Sequence, residues 1–293
     1  MNTLCSACLA AILLLSSNGQ VSAKDLKTSI LPVADVAIDT GPEFSAMIEG
    51  WGGNSFVFGR TGSAIEGGEL DSMMTYGGSA RFGVMFPPGI YVQGDLVGER
   101  TTADTTGNNN FISAYSFGGH AGYTNTDFLI GGFGVNGKTF AETEESDFWA
   151  YGAEARFNLS STSTIYGQVG YLQASGAEFI HDALFVRGKL DFAVSDSAKL
   201  GGELSYASGK QGPNDARIFG WGVRFDQKFG GSPISGFIAY DGTSYDNGVG
   251  SYVDNVAKLG LQIHFGSGGN GGYSASLDTP NIGRWVAAGN SID

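Results

Sequence analysis

Apolar and polar residues alternate with period two in segment after segment of this chain. That pattern predicts an all-β fold, a closed antiparallel transmembrane β-barrel of about twelve strands. Two further observations point the same way. Every second segment ends in an aromatic residue just before a short turn, and 48 of the 293 residues are Gly against seven Pro. Collagen is excluded because the Gly residues have no three-residue period, and simple disorder is excluded by 42% hydrophobic and 12% aromatic residues. A net charge of −13 argues against a nucleic-acid partner, since phosphate recognition needs a basic surface.

The first 23 residues read as a cleavable leader. Residues 7–15 form an uncharged apolar run, and Val21, Ser22 and Ala23 supply the small-x-small pattern of a signal-peptidase site, placing cleavage after Ala23. The run is too short for a membrane helix, which needs about 20 residues. It departs from the usual leader in having no Lys or Arg ahead of it. Both cysteines, Cys5 and Cys8, fall in this segment. Thiolate metal sites, disulfides and Cys nucleophiles are therefore not expected in the mature chain.

The alternation places strands at 44–53, 75–86, 89–100, 111–124, 127–137, 148–158, 164–174, 182–193, 198–208, 216–229, 234–242 and 255–266. In 149–159, Trp149, Tyr151, Ala153, Ala155, Phe157 and Leu159 share one face, against Ala150, Gly152, Glu154, Arg156 and Asn158. In 219–229, Phe219, Trp221, Val223, Phe225 and Phe229 oppose Gly220, Gly222, Arg224, Asp226 and Lys228. Short turns rich in Pro, Gly, Asn and Ser fall at 87–89, 125–126, 160–163, 196–197 and 230–233. The alternate connections are longer, polar and acidic. Phe86, Tyr123, Phe157, Phe192, Phe229 and Phe265 close every second strand, separated by 37, 34, 35, 37 and 36 residues. A hairpin repeat of that period puts all six rings at one level, where a bilayer interface holds aromatics. A soluble barrel would have no use for such a row. Strands of ten to twelve residues also suit a tilted span.

The last strand contains Lys258, Gly260, Ile263 and Phe265 in the order polar, x, Gly, x, x, hydrophobic, x, aromatic. It resembles the terminal β-signal of bacterial outer-membrane proteins, and the layout of 44–266 resembles twelve-stranded porin-like barrels. The resemblance implies short turns facing the periplasm, longer loops facing outside, and recognition of 258–265 by the barrel-assembly machinery. It implies residence in a Gram-negative outer membrane, in contact with the lipid bilayer and lipopolysaccharide. That family usually ends at the final aromatic, whereas 28 residues follow Phe265 here. The expected organisation is a leader at 1–23, an N-terminal periplasmic segment at 24–43, the barrel at 44–266, and a Gly-rich linker and tail at 267–293. The tail either hangs in the periplasm or folds into the lumen.

Motif chemistry is thin. Residues 132–139 read Gly-Phe-Gly-Val-Asn-Gly-Lys-Thr and fit the phosphate-loop pattern. That motif needs a following helix and a parallel sheet, and here an acidic segment leads into another alternating strand. Barrel hydrolases need a His beside a Ser or Asp. Alternation puts His120 and His264 on the inner face and His181 in a long loop, with no Ser in a nucleophile motif nearby. Asp241, Asp246 and Asp254, read as one acidic loop, lack the tight spacing of a calcium loop. No cofactor, metal or catalytic residue is expected.

Charge layout says more. The inner faces collect Arg81, Arg156, Arg187, Lys189, Lys199, Arg224, Lys228 and Lys258 against Glu49, Asp95, Glu99, Glu154, Asp191, Glu203 and Asp226. The long connections sum to about −10 by the same assignment. Buried unpaired charge is costly, so a mixed lining implies a water-filled pore or a paired network. The reading is a channel for passive diffusion of small hydrophilic solutes or ions, lined by Arg81, Asp95, His120, Glu154, Arg156, Arg187, Lys189, Asp191, Glu203, Arg224, Asp226 and Lys258. Its rivals are a barrel hydrolase acting on lipid or peptide, and a non-conducting structural or adhesive barrel.

Overall fold

A computed structural model describes residues 41–61, 73–105, 108–141, 144–266 and 277–288. The expected leader at 1–23, most of the 24–43 segment and the linker at 267–276 lie outside the described residues. Twelve strands are described: β1 (Glu43–Thr61), β2 (Met73–Phe86), β3 (Ile90–Thr105), β4 (Asn108–Thr124), β5 (Phe128–Ala141), β6 (Glu144–Asn158), β7 (Ser163–Ala174), β8 (His181–Ser195), β9 (Ala198–Gln211), β10 (Asn214–Lys228), β11 (Ile234–Asp246) and β12 (Ser251–Gly266). Each runs antiparallel to its neighbours in sequence. β1 closes the barrel on β12, with Met47 opposite His264 and Gly53 opposite Lys258. One short helix, α1 (Ile282–Ala287), follows.

The strands run further than alternation suggested, and most of the expected long loops are strand. Lys138 pairs with Asp147, Gly209 with Ala216, and Thr243 with Asp254. Beyond the apolar slab neither face needs to be oily, so the alternation fades. The ladder continues because each backbone N–H and C=O still needs a partner. Residues 241–254 are accordingly not an acidic loop: Asp241 lies inside β11, Asp246 ends it, and Asp254 lies in β12. The phosphate-loop pattern at 132–139 lies wholly inside β5, with antiparallel neighbours on both sides.

Alternation is legible in burial. Phe86, Tyr123, Phe157, Phe192, Phe229 and Phe265 are all turned outward, 43% to 51% exposed. A second outward row contains Tyr76, Tyr115, Trp149, Tyr151, Tyr206, Phe219 and Tyr240. Tyr76 to Phe86, Tyr115 to Tyr123 and Phe219 to Phe229 span eight to ten residues. At about 3.3 Å per residue and a tilt near 40°, the rows stand roughly 20–25 Å apart, the height of a membrane barrel's apolar band. Between them Leu96, Ile130, Val169, Val186, Val223, Ile238 and Leu261 are exposed. This outer face is built for lipid.

The short turns are held by their own side chains. Asn125 Oδ1 accepts the backbone N–H of Asp127 at 2.8 Å and of Phe128 at 2.9 Å. Gly230 turns the chain at φ +58°. Inside, large rings lie across glycines of the neighbouring strand. A side-chain carbon on Gly170 would come within 2.6 Å of the Phe185 ring, so only Gly lets that ring lie flat on the wall.

The interior has two tiers. Towards the end away from the short turns, Phe133, Phe148, Leu172, Phe179, Ile180, Phe185, Ile218, Tyr245 and Tyr252 pack with Ile282, Trp285 and Val286 of the tail. Phe179 and Ile180 come from the 175–180 connection, which folds inward. Towards the short-turn end the interior is mainly polar and ionic, with a small apolar cluster of Tyr91, Leu129, Tyr166 and Leu277 set within it.

Candidate functional site: the lumen and the tail within it

All twelve residues expected to line the lumen point into the barrel, and eleven of them are drawn into ion pairs, ten with partners on the wall itself. Arg187 grips Glu203 with Nε at 2.7 Å and Nη2 at 2.6 Å. Arg224 reaches from β10 past β11 and β12 to Glu49 on β1 at 2.6 Å, takes Asp226 at 3.0 Å, and stacks on the Phe237 ring at 3.6 Å. Lys258 binds Glu99 at 3.0 Å and Asp241 at 3.2 Å. Asp191 lies 3.8 Å from Lys189 and 3.6 Å from Lys199.

His120 sits between two acids, with Nε2 2.7 Å from Asp95 and Nδ1 2.9 Å from Glu154, all three side chains fully buried. Tyr166 donates its hydroxyl to Glu154 at 2.6 Å, and Gln168 Nε2 adds 3.2 Å. Both imidazole nitrogens face carboxylates, which are acceptors, so neither is free to take a proton from a substrate. His264 lies 3.0 Å from Ser235 Oγ, but Ser235 is fully buried and its hydroxyl also faces Gln262 at 3.1 Å. His181 meets the Phe179 carbonyl at 3.0 Å.

The remaining two expected residues stand apart. Arg81 finds its only ion-pair partner among the described residues on the tail. Arg156 has no carboxylate partner among them, and its Nε is buried without a hydrogen bond.

The tail decides the character of the site. It threads the lumen from the short-turn end towards the apolar tier. Leu277 exchanges two hydrogen bonds with Gln93, at 2.7 Å and 2.9 Å. Asp278 meets Arg81 at 2.6 Å and Lys189, with Arg187 3.8 Å away. Thr279 donates to Asp95 and lies 3.2 Å from His120 Nε2. Arg284 bridges Glu99, at 3.4 Å, and Asp254. Trp285 stands edge-on to Phe185 at 5.5 Å, Ile180 N–H reaches Val286 O, and Tyr252 donates to Ala288 O at 2.8 Å. Burial alone raises the Asp278 carboxyl. Lys189, Arg81 and Arg187 outweigh it and hold the group well below the ordinary carboxylate range.

Beside the tail a polar cavity of about 510 Å³ remains. Its lining runs from Ser161, Thr162 and Ser197 at the short turns up to Thr243 and Trp285. Above that level the apolar tier closes the barrel.

The sequence reading missed the inward partners Gln93, Gln168, Tyr91 and Tyr166, and the tail residues Asp278, Thr279 and Arg284. Neutral polar residues on inner faces carry no charge signal. The tail's apolar Ile282, Trp285 and Val286, flanked by charge after a Gly-rich linker, were the one available hint.

No protein-family model matches the chain, and no curated protein matches it. Solved structures do. The COG4313 outer membrane channel from Pseudomonas putida F1 superposes with a TM-score of 0.53 at 8% identity, covering 83% of this chain and all of that one. The KdgM porin in complex with disordered oligogalacturonate gives 0.45 at 11% identity, covering 75% and 99%. The beta domain of the Bordetella autotransporter BrkA gives 0.48 at 12% identity, covering 76% and 100%. Together with the outward apolar band and the closed twelve-strand sheet, the first likeness gives the chain the fold of an outer-membrane β-barrel.

Proposed function

We propose that the chain is a porin-like outer-membrane channel for small hydrophilic solutes or ions, held closed at rest by its own C-terminal tail. The observation that carries this reading is the charged cavity beside the tail, which opens among the short turns and holds Arg156 without a counter-ion among the described residues. A barrel serving only as a rigid wall gains nothing from an unpaired guanidinium facing an internal space, because water must solvate it there. The tail is joined to the polar half through ion pairs and hydrogen bonds, which water can replace. Its apolar end supplies the seal.

Catalysis is not part of the reading, since His120 is occupied on both nitrogens and Ser235 is enclosed. The short turns would face the periplasm, with 258–265 read by the barrel-assembly machinery. Acidic residues at the other rim, including Glu145 and Asp147, would meet divalent ions bound to lipopolysaccharide.

One observation favours the non-conducting alternative: nearly every inner charge is paired, as in a stiffened closed barrel. Planar-bilayer recording separates the two. A channel gives discrete openings whose unitary current changes in Arg156→Glu. A structural barrel gives none at any voltage.

A further inference from the structure

Three cations of the wall converge on one carboxylate of the tail. Arg81 Nη1 takes Asp278 Oδ1 at 2.6 Å, Lys189 takes Oδ2, and Arg187 Nη2 stands 3.8 Å from Oδ2. The backbone carbonyl of the same residue accepts from Arg187 Nη1 at 3.1 Å and from Gln168 Nε2 at 3.2 Å. For Arg81, no wall acid among the described residues replaces what Asp278 supplies. Arg187 has Glu203 and Lys189 has Asp191, but Arg81 has no second ion pair among the described residues, and its Nε is buried without a partner. Arg156, on the same cavity, has no acid at all among them.

The recognised fragment is thus a carboxylate joined through two carbons to a second carbonyl oxygen. Arginine and lysine read the first group, and arginine and glutamine read the second. That pattern, carboxyl–CH₂–CH–carbonyl, is the skeleton of a four-carbon dicarboxylate. We propose that Arg81, Gln168, Arg187 and Lys189 form a binding site for a small dicarboxylate solute, and that docked Asp278 is its built-in occupant. The proposal rests on the channel reading, since a solute reaches the site only when the tail gives way. It names the substrate class of that channel. Arg81 on one carboxylate oxygen and Lys189 on the other, with Arg187 and Gln168 on the second carbonyl, give the site its geometric preference for two linked carboxylates over a spherical anion.

The test is calorimetric titration of the folded full-length protein with succinate, with propionate as the mono-carboxylate control. Asp278→Ala should bind succinate at least tenfold more tightly than the wild type, and propionate at least tenfold more weakly than succinate. Asp278→Glu should stay at the wild-type level. Adding Arg81→Gln to Asp278→Ala should abolish the gain. Asp278→Asn, which keeps the side chain's shape, is the second variant should the alanine protein fail to fold. Equal succinate binding by wild type and the folded variants overturns the site, as does equal binding of propionate and succinate. Conductance recorded on the same proteins keeps the two readings apart. Succinate binding without conductance leaves the site and removes the channel, and conductance without succinate binding does the reverse.

Discussion

Trp285→Ala should loosen the seal without touching the wall. The indole is 6% exposed, lies edge-on to Phe185, and belongs to the apolar tier that ends the cavity. A Trp buries about 150–250 Å² and large-to-small core replacements of this kind cost about 3–5 kcal/mol. The loss falls on docking of the tail, because Trp285 has no part in the strand ladder. Taking about 3 kcal/mol, the ratio of undocked to docked tail rises roughly 150-fold at about 1.4 kcal/mol per decade. In single-channel recordings the open probability should increase by about that factor, with an unchanged unitary current, because the pore walls are the same. A folded Trp285→Ala protein with wild-type open probability refutes the assignment of the tail as the closing element. A changed unitary current with unchanged gating would place Trp285 in the conducting path instead.

Other expectations follow from the same contacts. The depressed Asp278 carboxyl stabilises the docked tail above its ordinary value of 3.8, and that stabilisation is lost as pH falls through its lower docked value. Openings should therefore be insensitive to pH between about 5 and 7 as far as this group is concerned. They should rise in acid below 3.8, and Asp278→Asn should remove that acid-side rise. His120→Leu leaves Asp95 and Glu154 buried without the group between them, so the barrel should lose about 3–5 kcal/mol. The measurement is the denaturant midpoint of detergent-folded protein, and an unchanged midpoint counts against the buried triad. Gly118 faces the tail with room for little else, a side-chain carbon there lying 3.0 Å from Thr279 Oγ1. Gly118→Val should push the tail outward and raise open probability, while an unchanged value would place the tail elsewhere.

The wall of the barrel was legible in the sequence because lipid imposes a rule on every outward position. Phe157, Phe192 and Phe229 mark strand ends, and Arg187 and Arg224 mark inner faces, by parity alone. Strand length was less legible. From Lys138 to Asp147 no membrane selects an apolar face, so the pattern ends while the pairing goes on. Partner choice was beyond parity altogether: Arg224 and Glu49 are 175 residues apart and meet only because closure sets β1 beside β12, three strands from β10. The tail was legible least. Asp278 and Arg284 read as ordinary surface charges until the wall offers Arg81, Lys189, Glu99 and Asp254 at matching heights.

The central claim is that the lumen is a conducting path which the tail occupies, and a reversible lock tests it most directly. The contact between Gly118 and Thr279 places their β-carbons near the spacing of about 3.5–4.5 Å that a disulfide requires. Cys5 and Cys8 are replaced by Ser, so that Gly118→Cys and Thr279→Cys supply the pair of thiols tested. In a planar bilayer the reduced protein should show discrete openings, and oxidation should silence them until reductant restores them. Identical traces in the oxidised and reduced states would contradict the account.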